Sequence, residues 1–420
     1  LAVHYLHTGD RDWFAGVAEA VVLGSDWIVR QRRETLKPEL HSPSFARKGQ
    51  GASREGSGMA TAGSAGASRG WERGFLAAGA LEDVDDYFYW LSTNALTWRG
   101  LNSAAEALER FEHPEATRLR REANAYRRSL IAGFETARQH SPLIRLRDGR
   151  WIPHYPSRLY CRGRDYGWIR ETLEGSVYLL ISGLYKPESK QAGWILDDYL
   201  DTRYMNAPYS YVMEDPQTQW FDCGGICPQP ALLAGLLPHL DRDEIEVYLW
   251  MFFNAWAACY RPEAQAFVEH PQPVLGFGNC APFKTSDQSN AMKWLAYLFV
   301  YERDELLHIG RAIPRAWFAQ EQAFSATRLS TPAGIVSVEY RPQLAAGKIE
   351  AEVELELRAP STSHRAGKPD QLLLRFRHPE KTPIQSVTIN GHASRAFDAR
   401  SGDVELTGVS GKVRVVVGYT

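Results

Sequence analysis

Apolar residues recur at helical spacing in eight segments ahead of residue ~321, and each predicts a helix: 10–33, 83–110, 113–139, 168–184, 188–203, 226–239, 241–261 and 286–305. The second, fourth, sixth and eighth are apolar or small on most sides, as in Ala231-Leu232-Leu233-Ala234-Gly235-Leu236-Leu237. The third keeps a charged face with Arg118, Arg120, Arg121, Arg127 and Arg128, which suits a helix with one side in water. The seventh breaks the alternation, because Trp250-Met251-Phe252-Phe253-Asn254-Ala255-Trp256 is apolar nearly all round.

The links between these segments alternate as well. Short ones follow the apolar helices, at Phe111-Glu112-His113-Pro114, Tyr185-Lys186-Pro187 and Pro238-His239-Leu240. Long ones precede them, at 34–82, 140–167, 204–225 and 262–285. Each exceeds the usual length of an ordered connection. Helical hairpins arranged as a ring, inner wall alternating with outer, place all the long loops on one face, where function tends to gather. The fold class expected is therefore mainly α: an α/α toroid of antiparallel hairpins over 1–321. Within the first long loop, 16 of the 22 residues from 49 to 70 are Gly, Ala or Ser, a composition that predicts a flexible segment.

After Trp317-Phe318 the period changes from helical to alternating. Gly334-Ile335-Val336-Ser337-Val338-Glu339-Tyr340, the run 349–357 and Val413-Arg414-Val415-Val416-Val417 read as strands. Asn390-Gly391 marks a tight hairpin. The segment 322–420 is thus expected to be a small antiparallel β-sandwich with an accessory, packing role.

Charge narrows the list of partners. The 48 basic and 50 acidic side chains nearly cancel and no basic stripe interleaves with aromatics, so nothing points to nucleic acid. With 13 Trp and 19 Tyr the chain is rich in rings on which the C–H faces of sugars stack, so a carbohydrate is the partner expected. Five irregularly spaced cysteines define neither a disulfide framework nor a compartment. Cys223 and Cys227 alone fall short of the two ligand pairs of a structural zinc site, and no metal or cofactor is expected. No apolar run has membrane-spanning length, and no signal peptide precedes Leu1; a secreted or periplasmic location is compatible with the substrate class.

Four places combine chemistry with a predicted long loop or inner-helix start. The first runs from Trp71 and Arg73 to Glu82, Asp83, Asp85, Asp86 and Tyr87. Its four carboxylates exceed what capping and the helix dipole use, so Glu82 or Asp83 is expected to face substrate. In the second, Glu171 and Glu174 share a helix face near Trp168, with Arg158, Tyr160, Arg162, Arg164 and Arg170 at hand; the bland alternative is a structural ion-pair network. The third sets Trp220 and Asp222 beside Gly224-Gly225. The fourth holds Glu269, Asn279 and Lys284, where Ser286 or Asp287 reads as an N-cap and Glu269 has no capping task in view.

Glycoside hydrolysis needs two carboxyl groups across the scissile bond, one protonated and one ionised. Burial raises one pKa and a nearby Arg lowers another, so an acidic cleft containing arginines provides both. In organisation, the run Gly79 to Trp90, its continuation Asn94-Ala95-Leu96-Thr97-Trp98-Arg99-Gly100-Leu101, and Ala312-Ile313-Pro314-Arg315-Ala316-Trp317 closing the helices before a β domain resemble the six-hairpin glycosidase superfamily. That resemblance implies a twelve-helix toroid, polysaccharide-degrading hydrolase activity, Glu82 or Asp83 as acid, and Glu171, Glu174 or Glu269 as base. Eight helices in place of twelve imply a smaller ring or an absent N-terminal part.

Two other functions fit the sequence. A polysaccharide lyase on a uronate-containing glycan would draw its base and its cations from His154-Tyr155, Arg158, Tyr160 and Arg162. A non-catalytic carbohydrate-binding protein would keep the aromatic residues without turnover.

Overall fold

The computed structural model describes residues 1–37, 70–81, 84–163, 175–201, 235–267, 271–272, 277–278, 285–303, 306–358 and 369–419. Eleven α-helices among them lie ahead of, or at the junction with, a β-rich C-terminal part. The expected flexible segment 49–70 lies outside the described residues except for Gly70.

The predicted first helix is broken into three: α1 (Ala2–Thr8), α2 (Arg11–Ala15) and α3 (Ala18–Glu34). Gly9 ends α1 in the left-handed region at φ 68°, and the Asp10 carboxylate caps α2 by accepting from the Trp13 amide at 2.9 Å. The centre of the helical part is the antiparallel hairpin of α4 (Leu91–Phe111) and α5 (Ala116–His140). Leu91, Ala95, Trp98, Leu101, Ala105 and Leu108 form the buried stripe of α4, answered by Leu119, Ala123, Tyr126, Leu130, Phe134 and Ala137 of α5. The Trp98 indole donates to the Ala123 carbonyl at 3.0 Å and fixes their register. Glu112, at φ 66°, stops α4, and the His113 amide returns to the Leu108 carbonyl at 2.9 Å. Part of the arginine face of α5 meets protein instead of water: Arg118 pairs with Asp26 of α3 at 2.7 Å, and Arg120 with Glu109 of α4 at 2.8 Å.

Farther along lie α6 (Val177–Ile181), α7 (Lys190–Tyr199), α8 (Leu236–Asp241), α9 (Ile245–Cys259) and α10 (Thr285–Phe299). Helix α4 packs on α6, α6 on α7 and α8, α8 on α9, and α9 on α10. The apolar helices α4, α6 and α8 therefore each touch their hairpin partner, and they touch one another in succession.

Three predicted helix boundaries are corrected. The short link expected at Pro238-His239-Leu240 lies inside α8, and the turn into α9 falls at 242–244. The helix expected over 83–110 begins only at Leu91; ahead of it, β1 (Gly79–Leu81) and β2 (Val84–Phe88) form an antiparallel hairpin. A β-branched and aromatic run, Val84 with Tyr87-Phe88-Tyr89-Trp90, prefers the extended backbone, so Asp85 and Asp86 lie in a strand and not at a helix N-terminus. Likewise the helix expected over 286–305 ends at Phe299, where the chain passes directly into β3 (Val300–Arg303) and β4 (Leu306–Ile309).

Strands β5 (Phe324–Thr331), β6 (Gly334–Gln343), β7 (Lys348–Leu357), β8 (Gln371–Arg375), β9 (Ser386–Ile389), β10 (His392–Ser394), β11 (Phe397–Asp398), β12 (Asp403–Glu405) and β13 (Gly411–Gly418) follow the short helix α11 (Arg315–Ala319). They form a six-stranded antiparallel sheet, β5-β6-β7-β13-β9-β10, and a five-stranded one, β11-β12-β8-β4-β3. The second is mixed, because β4 and β8 run parallel, so the all-antiparallel expectation fails there. Strands on both sides of the dividing line expected after residue 321 thus share one sheet. Alternate residues Val336, Val338, Tyr340, Ile349, Val353, Val413 and Val415 are buried in one continuous core with Leu307, Ile309, Leu372, Leu374 and Val404 of the other sheet. Asn390 and Gly391, both at positive φ, make the two-residue turn between β9 and β10.

Ion pairs tie the β part to the helices. Arg375 on β8 holds Asp403 at 2.7 Å and Asp243, in the α8–α9 link, at 2.5 Å. Arg311 reaches Asp243 at 3.2 Å, and Arg303 pairs with Asp241 at 2.8 Å.

Candidate active site

The segment 70–76 presents Glu72 beside Trp71, and the fold clamps it against α5. Gly133 makes this approach possible: a Cβ there would lie 2.6 Å from both the Trp71 carbonyl oxygen and the Phe75 ring. Gly74, at φ 81°, lies so close that a Cβ would meet Ser129 Oγ at 2.5 Å. Buried polar side chains then satisfy the backbone. Arg32 donates through Nε to the Gly74 carbonyl at 2.8 Å. The Thr35 hydroxyl accepts from the Gly74 amide at 3.1 Å and lies 2.7 Å from the Phe75 carbonyl. Asn94 accepts through Oδ1 from the Leu76 amide at 3.0 Å and the Tyr126 hydroxyl at 2.8 Å, while its amide nitrogen donates to the Trp90 carbonyl at 2.8 Å. Phe75, fully buried, anchors the apolar side.

This clamped segment presents Glu72, which is only 8% exposed. The Tyr160 hydroxyl donates to its Oε2 in a short hydrogen bond. The same phenol oxygen accepts from the Trp71 amide at 3.2 Å. Trp71 stacks on the Tyr160 ring, with centroids 4.7 Å apart and planes 16° from parallel, and His140 lies 4.7 Å from the indole at a tilt of 42°. Tyr160 occupies the left-handed region, φ 65°, which a bulky residue adopts only under constraint. Burial, and next the Glu72 charge, push the Tyr89 phenol up to about 12. Burial followed by the hydrogen bond to Glu72 raises the Tyr160 phenol well above its usual value, so both hydroxyls stay protonated near neutral pH.

Two strands of chain close the other side. The Leu159 amide donates to the Tyr89 carbonyl at 3.1 Å and the Leu91 amide to the Ser157 carbonyl at 2.8 Å, so 157–160 runs alongside 89–91. Arg158 lays its guanidinium 3.8 Å from the Phe88 ring centroid and 5.3 Å from that of Trp90.

Of the residues singled out in the sequence, Trp71 and Tyr160 stack on one another, and Arg158 lies on the adjoining 157–160 strand. Arg73 is exposed, and Tyr87, at the end of β2, is 64% exposed. Glu82, Asp83, Arg164, Trp168, Glu171, Glu174, Trp220, Asp222, Glu269 and Lys284 lie outside the described residues, as do Cys223 and Cys227. Among the described residues no His/Cys/Asp/Glu group could hold a metal ion, and no helix is long and apolar enough to cross a membrane.

Sequence reasoning passed over Glu72 and Tyr89. A carboxylate between Trp71 and Arg73, in a loop with no helix start to cap, was the available signal. The pair named for lyase chemistry is interior: His154 is 2% and Tyr155 1% exposed. His154 Nδ1 lies 3.0 Å from Asp198 Oδ2, and the Tyr155 hydroxyl donates to Glu135 at 2.5 Å.

No family model matches the chain, and no curated protein does. Among solved structures it is similar to one described as a glycoside hydrolase, at 11% identity and a TM-score of 0.36, with 77% of this chain and 64% of that one covered. It is also similar to a GH127 β-L-arabinofuranosidase from Geobacillus stearothermophilus T6, at 10% identity and a TM-score of 0.36, with 96% and 72% covered. The chain spans less than two thirds of the first of these. At this level of similarity neither fold family nor activity is transferred from them.

Proposed function

We propose that this chain is a glycoside hydrolase acting on a poly- or oligosaccharide by carboxylate chemistry, with Glu72 as one of its two carboxyl groups. The observation that carries the reading is the Glu72–Tyr160 pair: a nearly buried carboxylate, held by a phenol on a constrained backbone and walled by aromatic rings, on a loop that the helices pin in place. A carboxylate held in a fixed rotamer on a pinned loop suits proton transfer at a glycosidic oxygen or activation of water. Aromatic walls suit the C–H faces of sugars.

The second carboxyl group belongs, in this reading, to the set expected from sequence: Glu82, Asp83, Glu171, Glu174 or Glu269. A separation of about 5–5.5 Å from Glu72 implies retention of configuration, and about 6.5–9.5 Å implies inversion. The helical hairpins are proposed to continue the succession α4, α6, α8 into an α/α toroid, with Trp71, Arg73, Tyr87, Arg158, Arg164, Trp168, Trp220, Asp222 and Lys284 around the substrate.

Release of reducing ends from a panel of glycans tests this. Activity that falls by about a hundredfold or more in Glu72→Gln, with the fold intact, supports the assignment. Activity that survives Glu72→Gln removes Glu72 from the site.

A further inference from the structure

Immediately after His140, which contacts Trp71, the chain makes a small hairpin in which 144–145 pairs with 151–152. Its inner face is apolar and buried: Ile144, Leu146 and Ile152 pack together against Trp194. Its outer face is the reverse. Trp151 is 61% and Leu143 55% exposed, and Arg145 is exposed directly opposite Trp151 in the register. Directly opposed residues hold their Cβ atoms about 5 Å apart.

The mount is firm. The Leu146 amide donates to the Arg150 carbonyl at 2.8 Å, Arg150 pairs with Asp148 at 2.6 Å and with Asp197 of α7 at 2.7 Å, and the Arg147 amide donates to Asp201 at 3.1 Å. Arg150 is thus neutralised, whereas Arg145 makes no ion pair or hydrogen bond and Trp151 meets no other ring among the described residues. Most other tryptophans of the helical part, Trp71, Trp90, Trp98, Trp194, Trp256 and Trp294, are packed or half-buried.

The hairpin also joins the candidate site. The Gly163 amide donates to Ser141 Oγ at 3.3 Å, and a Cβ on Gly163 would lie 3.5 Å from the Pro142 ring, so the strand leaving Tyr160 lies against the residues that enter the hairpin. An exposed indole and an unneutralised guanidinium, directly opposed on the outer face of a hairpin whose entry adjoins the Glu72 cluster, suit one ligand chemistry. A sugar ring stacks its C–H face on the indole while a carboxylate on that sugar takes the planar N–H fork of arginine.

We propose that Trp151 and Arg145 form an outlying subsite for an acidic sugar, so that the glycan reaching the Glu72 site carries uronic acid residues. This rests on the hydrolase reading above and adds the substrate class to it.

Affinity electrophoresis of the full chain through gels containing polygalacturonate, alginate, glucuronoxylan or hyaluronan, with a neutral arabinan and xylan for comparison, tests the subsite. At least one acidic glycan retards the protein, and Trp151→Ala and Arg145→Gln each weaken that retardation by about tenfold, a loss of about 1.4 kcal/mol. Trp27→Ala, which removes another exposed tryptophan far along the chain on α3, leaves it unchanged. Retardation by none of the four acidic glycans, or retardation indifferent to both Trp151→Ala and Arg145→Gln, overturns the proposal. Sugar release, measured separately, keeps the two readings apart. Hydrolysis with binding indifferent to both substitutions removes the subsite alone, and binding weakened by Trp151→Ala and Arg145→Gln without hydrolysis of any glycan removes the hydrolase reading alone.

Discussion

Tyr160 donates its phenolic hydrogen to Glu72 from a backbone held at φ 65°, while its ring lies flat against Trp71. Three constraints of different origin converge on one side chain: a strained dihedral, a hydrogen bond to a carboxylate and a stacked indole. Strain of this kind costs on the order of 1–3 kcal/mol and persists where neighbours over-determine it. The neighbours here include the carboxylate proposed to do the chemistry, which makes Tyr160 its positioning residue.

Removing only the phenolic oxygen isolates that role. In Tyr160→Phe the stacking on Trp71 remains and the donor to Glu72 is lost. A hydrogen bond to a charged group is worth about 1.5–3 kcal/mol, so kcat falls by about ten- to a hundredfold with KM little changed. Steady-state kinetics on the glycan identified by the panel checks this; a rise in KM alone would assign Tyr160 to substrate binding.

Gly133 makes a second prediction at a distance from any proposed chemistry. The β-carbon of Gly133→Ala has to displace the Trp71 carbonyl and the Phe75 ring, and backbone cannot yield as a flexible side chain does. Overpacking of this sort costs about 1–3 kcal/mol. Thermal unfolding shows a lowered Tm, and activity falls with it because the displaced segment carries Glu72. An unchanged Tm would mean that the 70–76 segment is not clamped on α5.

The junction between the helical and β parts predicts an acid limb in stability. His308 on β4 is 5% exposed and its Nδ1 has no hydrogen-bond partner. Burial, and next the charge of Arg311, lower its pKa to about 3; Arg375 acts in the same direction, and Asp403 and Asp243 oppose. The folded form therefore refuses a proton that the unfolded chain accepts near pH 6.5. Stability is fully present above that value and declines as pH falls toward 3, by at most about 1.4 kcal/mol per pH unit for this one group. Urea titrations between pH 7 and 4 show a shallower decline for His308→Phe than for the parent chain; identical slopes would rule out His308 as the cause.

Arg375 supplies the fourth. It is 6% exposed and spans Asp403 and Asp243, so Arg375→Met strands the Asp403 carboxylate in a poorly solvated position. Breaking a buried pair from one side costs about 3–5 kcal/mol, whereas replacing both partners is often neutral. Chemical denaturation resolves the two: the single variant is strongly destabilised, and Arg375→Met with Asp403→Leu recovers most of the loss. Failure of the double variant to recover would place the effect in packing instead of charge.

Much of this architecture could be read from residue pattern, and the failures have specific causes. Alternation in 334–340 and 413–417 announced the large sheet, and Asn390-Gly391 its hairpin, because side-chain period and turn chemistry are local properties. Helix α9 was likewise legible. Tyr87-Phe88-Tyr89-Trp90 misled, since four aromatics after a carboxylate cluster satisfy a helical stripe as readily as a strand, and only pairing with 79–81 decides between them. Val300-Tyr301 was absorbed into the preceding helix for the same reason: its partner, β4, itself pairs with a strand 65 residues farther along. Trp71 and Tyr160 were singled out by type, and the structure stacks them on one another. Glu72 was not, because its significance comes from Gly133, Asn94 and Arg32, none of which marks a site by sequence alone.

The central claim is that Glu72 is a reacting carboxylate and not merely a partner for Tyr160. Product release by Glu72→Gln, measured beside its Tm on the best glycan of the panel, addresses it most directly. A reacting Glu72 gives a kcat lower by about a hundredfold or more with a Tm near that of the parent chain; turnover within a few-fold of the parent, or a loss of activity that only follows a loss of fold, would contradict that role.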